Sequence, residues 1–364
     1  MTSRWLFSPR VDVAVFAGSV LASVAVVLAA PALGLVSPEE GTPPWAFLVF
    51  VVGVDVAHVW STLFRVYLDG EELRRRPGLY ASAPLLAFGL GVAAYAISAD
   101  FFWRALAYVA VWHFVRQQVG WVVLYGRRAK SPEWVVRADR LAVYAATLGP
   151  VVWWHAHLPR SFWWFKEGDF VAGLPEAVGT AALALHAVVL LGWLVVMAKR
   201  RELHLGKVLL VLATWVAWFG GIVLAQSDFA FTVMNVVLHG VPYLALLYRY
   251  AKGRAAEGGY GRLGLLLRAG VPAFLGVLLL LAFLEEAAWD ALVWHEHPTL
   301  FGAGGLELSA AALTLVVPLL SLPQVTHYLL DGFVWRTRDD PSLPARLGWT
   351  VLPAAQHEGA PIHD

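Results

Sequence analysis

Four apolar segments of the chain each contain a histidine with a polar partner three or four residues away. On an α-helix these spacings place the two side chains on one face, so each segment would present a compact polar pair. A titratable side chain inside a membrane-spanning segment is energetically expensive, and such residues usually serve a function. The pairs are Asp55 with His58, His113 with Gln117, Asn235 with His239, and His327 with Asp331.

The side chains in these pairs include strong ligands for transition metals. Neutral imidazole binds iron, zinc, copper and nickel, and a carboxylate adds a hard oxygen ligand. We therefore predict a mononuclear or dinuclear centre that holds non-haem iron, with zinc as the alternative metal. The predicted metal ligands are His58, His113, His239 and His327, followed by Asp331 and Asp55.

Three further polar residues in the same segments are predicted to take part in catalysis. Gln117 and Asn235 are weaker ligands than carboxylates, so we assign them to orienting an imidazole or to hydrogen bonding with substrate. Arg116 lies within its apolar segment, where it could pair with Asp55 or Asp331 or hold an anionic group of the substrate.

The other histidines have simpler interpretations. A buried imidazole can be satisfied by a backbone carbonyl, and His186 has apolar neighbours at helical spacing, so we interpret it as structural. The histidines at 155, 157, 295 and 297 lie near outer ends of segments, where solvation is expected. The sequence leaves open whether any of these side chains joins the site.

The composition of the chain indicates which kind of structural element positions these residues. Of the 364 residues, 59% are hydrophobic and 15% are charged. A mean hydropathy of +0.64 is typical of an integral membrane protein that crosses the bilayer several times, and it excludes an ordinary soluble domain. Cysteine is absent, which excludes disulfides, thiolate zinc sites and Fe–S clusters.

The chain is predicted to form an all-α bundle of about ten transmembrane helices. Each span has about 20 apolar residues, enough to cross a hydrocarbon core of roughly 30 Å as a helix. The predicted spans cover residues 12–36, 45–69, 79–99, 101–125, 139–158, 177–198, 207–226, 228–250, 266–286 and 306–334.

Basic residues are concentrated in alternate loops, and this distribution predicts the orientation of the bundle. Under the positive-inside rule both termini are cytoplasmic and the number of spans is even. Residues 1–338 then form a single transmembrane domain, and residues 339–364 form a loosely ordered cytoplasmic tail. Spans two, four, eight and ten run in the same direction and carry their histidines at similar depths. We therefore expect the four imidazoles to converge on one centre.

Two features of the predicted outer side bear on access to that centre. The loop around residues 159–176 is rich in tryptophan and phenylalanine, and we interpret it as an interfacial anchor in preference to a substrate lid. Glu285 and Glu286 close span nine at the outer interface, where solvation is expected.

Motifs in the four histidine-bearing spans resemble those of the Brp/Blh β-carotene 15,15′-dioxygenase family of bacterial membrane proteins. The matching segments are DVAH at 55–58, WHFVRQQ at 112–118, NVVLHG at 235–240 and THYLLDGFVW at 326–335. That family is polytopic, holds iron with membrane-embedded histidines and cleaves a carotenoid to retinal. The resemblance implies that His58, His113, His239 and His327 are iron ligands.

The function expected from these observations is that of a non-haem iron oxygenase. Its substrate would be a lipophilic small molecule, carotenoid or lipid-like, bound in a bacterial-type inner membrane, and no nucleic acid is expected as a partner. Three alternatives remain open: an intramembrane zinc hydrolase of lipids, a haem protein with axial histidines, and a proton-coupled transporter that uses the histidine and aspartate cluster.

Overall fold

The computed structural model describes residues 5–37 and 41–349, and this part of the chain is all-helical with no strand. The predicted all-α class is confirmed for it. The long helices are α1 (Pro9–Ala32), α2 (Pro44–Tyr67), α3 (Pro77–Ile97), α4 (Ala99–Ala129), α5 (Glu133–Ala156), α6 (Glu176–Lys199), α7 (Leu205–Leu224), α8 (Asp228–Ala256), α9 (Val271–Trp294) and α10 (Ala310–Val334).

Eight of these helices are long and apolar enough to cross a membrane, namely all except α4 and α5. This finding is compatible with an integral membrane protein. Helices α4 and α5 coincide with the other two predicted spans and have 31 and 24 residues, but they do not reach the same apolarity. The count of ten spans and the side of the termini therefore stay predictions.

The helices that carry the four histidines begin at residues whose chemistry favours a helix start. Ser98, Ser227 and Ser309 precede α4, α8 and α10, and each side-chain oxygen accepts a hydrogen bond from a backbone N–H in the first turn. Helix α2 begins instead with Pro44, whose fixed φ suits the first helical position. The start of each of these helices is thus marked by a local sequence signal.

Helix α2 departs from regular α geometry immediately before His58. Residues Phe47–Val56 are π-helical, and Ala57–Trp60 return to the α form. Wider π turns are uncommon inside helices, and those that occur are often found at functional sites. Asp55 lies in this π segment.

Helix α8 occupies the middle of the bundle. It is 72% buried over its most apolar stretch and packs against α1, α2, α4 and α7. Helix α10 contacts α2 and α4 as well as α3. The four histidine-bearing helices therefore share one interior.

One end of the bundle, which we call the tail end, is closed by a buried ion-pair network around Arg65. This side chain is 1% exposed, and its guanidinium lies 2.9 Å from Glu72 and 3.4 Å from Asp340. It also donates to the Tyr250 hydroxyl at 3.0 Å and to the Val334 carbonyl at 2.5 Å. Arg65 thereby joins α2, α8 and α10 at one point.

The described part of the predicted tail packs against this network. Asp340 and Arg346 are 3% and 5% exposed, and Leu343 and Leu347 join the main hydrophobic core. Residues 339–349 are therefore an integral part of the bundle, which moves the boundary predicted at residue 338. Residues 350–364 of the predicted tail lie outside the described part of the chain.

Candidate metal centre

The imidazoles of His58, His113, His239 and His327 meet in the interior between α2, α4, α8 and α10. Their side chains are between 0 and 5% exposed. The Nε2 atoms of His58 and His239 are 3.0 Å apart, and those of His113 and His327 are 3.2 Å apart. Ring centroids of His58 and His327, and of His113 and His239, are separated by 5.0 and 5.1 Å. The predicted convergence of the four imidazoles is thus present in the structure.

At these separations each pair of nitrogens either shares the proton of one ring in an N–H···N hydrogen bond or turns both lone pairs to a cation between them. Two neutral imidazoles that turn acceptor nitrogens toward each other repel, unless they share a proton or a cation. The burial of the imidazoles leaves little room for the water that would otherwise solvate the lone pairs. The imidazoles therefore offer nitrogen atoms at spacings that a metal ion can bridge.

His327 is held from behind through its Nδ1 atom, which lies 2.7 Å from the hydroxyl oxygen of Thr62. His58 Nδ1 lies 3.5 Å from a carboxylate oxygen of Asp55 and has no hydrogen-bond partner among the described residues. Metal-binding histidines typically use the second ring nitrogen as His327 does, which fixes the ring and its tautomer. Thr62 is not among the predicted site residues, although its position one helical turn after His58 places it on the same face of α2.

Aromatic rings fix the orientation of the imidazoles from the sides. Phe114 stacks on His239 with a centroid distance of 3.5 Å, and Tyr328 stacks on His113 at 4.3 Å. Tyr243 packs edge-on against His58 and His327. The sequence reasoning missed these three residues, because apolar segments rich in aromatics offer many equivalent candidates.

Two sets of residues in the described chain have ligand atoms close enough together to hold a metal ion. One set is His58, His113 and His327, and the other is Asp55, His58 and His239, with all ligand atoms of a set within 4.8 Å of one another. His58 belongs to both sets. The arrangement therefore suits one ion held by either set, or two ions that share His58.

Asp331 lies beside the centre without joining either set. Its carboxylate accepts a hydrogen bond from the Trp335 indole at 2.8 Å and is hydrogen-bonded to the Tyr243 hydroxyl. Because Tyr243 contacts His58 and His327, Asp331 reaches the imidazoles through this ring. Its predicted role as a direct ligand stays a prediction, and its contacts favour a positioning role.

Of the three predicted catalytic residues, Gln117 and Asn235 are buried near the imidazoles and Arg116 is not. Neither amide atom of Gln117 has a hydrogen-bond partner among the described residues. Asn235 donates to the Phe231 carbonyl, and its amide oxygen has no partner there. Arg116 is exposed and donates to the Tyr144 hydroxyl at 2.5 Å, so the structure does not bring it to the histidines.

The remaining histidines left open by the sequence have other partners. His186 is bound to the Ala145 carbonyl at 2.7 Å, and His155 to the Tyr108 hydroxyl at 2.9 Å. His157 stacks on Trp153, and His297 packs on Phe47 at the opposite end of the bundle from the tail. None of these four belongs to a metal-capable set in the described chain.

A cavity of about 590 Å³ leads toward the centre from the end opposite the tail, which we call the loop end. Its floor is formed by Asp55, Phe114, Asn235 and Gln324. Each of these residues lies within four positions of a cluster histidine on its own helix. The floor is therefore about one helical turn from the imidazole layer.

Loop residues 163–167 and Glu285 and Glu286, which lie within α9, form part of the cavity wall. Trp164 packs edge-on against Phe114 at 4.9 Å, so this loop covers the cavity. That placement favours the role of a substrate lid, whereas the sequence favours an interfacial anchor. The two glutamates are partly buried in the wall, and Glu285 accepts a hydrogen bond from the Trp60 indole at 2.5 Å. The two side chains are therefore less solvated than the sequence predicts.

Comparison of the chain with protein-family models, curated proteins and solved structures gave no match. The site must therefore be interpreted from its own geometry.

Proposed function

We propose that this protein is an integral membrane metalloenzyme whose centre is held by His58, His113, His239 and His327. The observation that best supports this proposal is the convergence of their Nε2 atoms, in two pairs at 3.0 and 3.2 Å, from four helices that are separate in the chain. Interhelical hydrogen bonding in membranes stabilises packing by roughly 1–2 kcal/mol at best, which gives little structural reason to place four imidazoles together.

Non-haem iron is the proposed metal, and the proposed reaction is oxygenation of a lipophilic substrate, carotenoid or lipid-like. Imidazole-rich sets with a nearby carboxylate are typical iron ligands, and bound iron would supply O₂ activation. The chain's own contribution is to hold the rings, through Thr62 and the stacked aromatics, and to exclude water from the imidazole layer. The resemblance of the four segments to the Brp/Blh family supports the same function.

The cavity supports an enzyme in preference to a purely structural metal site. Its volume of about 590 Å³ is in the range of small-molecule sites, and its floor adjoins the centre. A substrate held there would lie beside Phe114, whose ring covers His239. Asn235 is placed to hydrogen-bond such a substrate through its free amide oxygen.

A second candidate is an intramembrane zinc hydrolase. The observation that favours it is the acidic lining of the cavity, since carboxyl groups such as Asp55 would admit water close to the centre. Bound zinc lowers the pKa of water and so supplies a nucleophile.

Elemental analysis of the full-length protein, purified in detergent without added metal, tests both candidates. We expect stoichiometric iron, and its loss in each of the variants His58→Ala, His113→Ala, His239→Ala and His327→Ala. The matched control is His157→Ala, whose imidazole packs on Trp153, and this variant should keep its metal.

The outcomes separate the hypotheses. Iron together with substrate-dependent oxygen consumption supports the oxygenase. Zinc without oxygen consumption selects the hydrolase. A monodisperse, helical wild-type protein that neither contains nor binds iron or zinc would overturn the metal centre.

A further inference from the structure

The cavity above the centre is strongly acidic. Seven carboxyl side chains and one lysine line it, among them Asp55, Glu285 and Glu286, which lie close enough to interact electrostatically. The lysine, Lys166, is already paired with Asp100 at 2.5 Å. The walls therefore carry an excess of groups that attract positive charge.

No lysine or arginine of the described chain forms an ion pair with Asp55, Glu285 or Glu286. Asp55 lies beside the His58 imidazole, and Glu285 accepts a hydrogen bond from the Trp60 indole. Asp290, by contrast, is used by the fold, since it accepts two backbone N–H groups at 2.8 Å each. Charged groups that are partly removed from water are normally paired, so three partly buried carboxyl groups in one wall point to a partner that enters from outside.

Asn235 gives an independent indication of a ligand. It lines the cavity, is 4% exposed, and its amide nitrogen donates to the Phe231 carbonyl. Its Oδ1 atom has no partner among the described residues. A buried acceptor without a donor is costly, and a ligand that carries N–H or O–H groups would satisfy it.

The aromatic wall of the cavity indicates which kind of cation it binds. Trp103, Trp289 and Trp294 line it, with the rings of Trp103 and Trp294 at a centroid distance of 4.9 Å. Aromatic faces attract ammonium groups as well as apolar bodies. Glu285 and Glu286 belong to no group of three or more residues in the described chain whose ligand atoms are close enough to hold a metal ion.

We propose that the cavity binds an organic ammonium ion with an apolar body. The ammonium group lies among Asp55, Glu285 and Glu286 and donates to Asn235 Oδ1, while the apolar part lies along the tryptophans. As a statement about the substrate, this inference rests on the proposed function and narrows it to a lipid-like amine. In the predicted topology such a molecule reaches the cavity from the outer side.

Calorimetric titration of the full-length protein in detergent tests the proposal with benzylamine as the probe. At neutral pH benzylamine is a cation, and benzyl alcohol is a neutral molecule of similar shape. We expect one benzylammonium site per chain with at least tenfold higher affinity than that for benzyl alcohol. The double variant Glu285→Gln/Glu286→Gln should lose at least tenfold in affinity for benzylammonium and little for benzyl alcohol.

The control variant is Glu133→Gln, because Glu133 is exposed and pairs with Arg137 at 3.2 Å on the surface. It should bind benzylammonium as the wild type does. Asn235→Ala gives a second test that leaves all carboxylates in place, and it should weaken benzylammonium binding. Equal affinities for amine and alcohol, or unchanged binding in the glutamine double variant, would overturn the proposal.

Two further measurements distinguish an organic ammonium site in the cavity from binding at the metal centre and from metal binding in the cavity. Benzylammonium binding that persists in His113→Ala after its metal is lost supports the cavity site and shows that it does not depend on the centre. Displacement of benzylammonium by Mn²⁺ or Zn²⁺ in His113→Ala with Asp55→Asn added, which disrupts both metal-capable sets, would instead make the cavity a metal site and refute the organic ligand.

Discussion

The Nε2 atoms of His58 and His239 lie 3.0 Å apart although 181 residues separate the two histidines in the chain. The contact is made between α2 and α8, the central helix of the bundle. Such a contact requires that the two helices approach closely at this level. Glycine makes the approach possible, because Gly240 faces the backbone of Val54 next to Asp55.

Gly240→Ala is expected to damage the centre without removing any ligand. A Cβ at this position would lie 2.6 Å from Val54 Cγ1 and 2.9 Å from the Val54 carbonyl oxygen, so one helix must shift. Overpacking of this kind typically costs about 1–3 kcal/mol. We expect reduced metal content in elemental analysis and a lower midpoint of thermal unfolding.

The matched control is Gly276→Ala in α9, where a Cβ meets nothing within 4 Å. This variant should keep full metal content. Equal metal content in both variants would show that the spacing of α2 and α8 does not govern the centre.

Thr62→Val is expected to weaken metal binding while it preserves the shape of the side chain. The Thr62 hydroxyl lies 2.7 Å from His327 Nδ1, and loss of such an outer partner typically costs 10–100-fold in metal affinity. A competition titration with a chromophoric chelator measures the change. Thr147→Val is the control, since the Thr147 hydroxyl bonds to carbonyls of its own helix; a similar loss in both variants would refute the role of Thr62.

Arg65→Met is expected to destabilise the bundle at the tail end. The change removes the guanidinium that lies 2.9 Å from Glu72, while Arg75 stays 3.0 Å from the same carboxylate, so we expect a cost below the about 3–5 kcal/mol of a fully broken buried ion pair. The midpoint of thermal unfolding in detergent should fall clearly. Arg137→Met breaks an exposed pair with Glu133 and should leave the midpoint almost unchanged; equal effects would mean that the buried network adds no stability.

Acid is expected to loosen the tail segment before the rest of the bundle. A hydrogen bond from Arg346 lowers the pKa of the Glu71 carboxyl below its ordinary value of 4.5. Burial opposes ionisation of Asp340, but hydrogen bonds from Ser342 and Arg75 outweigh it and lower its pKa below 3.8. Since both pKa values are depressed on folding, their stabilisation is complete above the ordinary values and is lost as the pH falls through the folded ones.

Hydrogen exchange of residues 339–349 between about pH 5 and about pH 3, corrected for the intrinsic pH dependence of exchange, measures this loosening. Protection should decrease toward the acid end. In Glu71→Gln we expect weaker protection at about pH 5 and a smaller further decrease on acidification. Wild-type protection that does not change over this range would refute the prediction.

Much of this architecture follows from patterns that a sequence displays locally. Spans of apolar residues are visible because the bilayer requires about 20 of them in a row, and Ser98, Ser227 and Ser309 mark helix starts because their hydroxyls cap free backbone N–H groups. The histidines stood out for a similar reason, since a polar group in an apolar segment is exceptional.

Side-chain direction was harder to predict. Arg116 and Gln117 are neighbours in α4, yet Arg116 is exposed and Gln117 is buried. A rotation of about 100° per residue separates them, and the sequence does not say which direction faces the interior. The same uncertainty applies to Asp331, which contacts Tyr243 and Trp335 instead of an imidazole nitrogen.

The sequence by itself determined that the protein is an apolar helical bundle with histidines in four of its helices, because composition and spacing are local properties. Only the tertiary structure decided that His58, His113, His239 and His327 meet, that Thr62 and Phe114 hold them, and that an acidic cavity leads to them. Those relationships depend on how each helix is rotated and how closely it packs against the others. Rotation and packing are set by contacts between residues far apart in the chain, which no local pattern records.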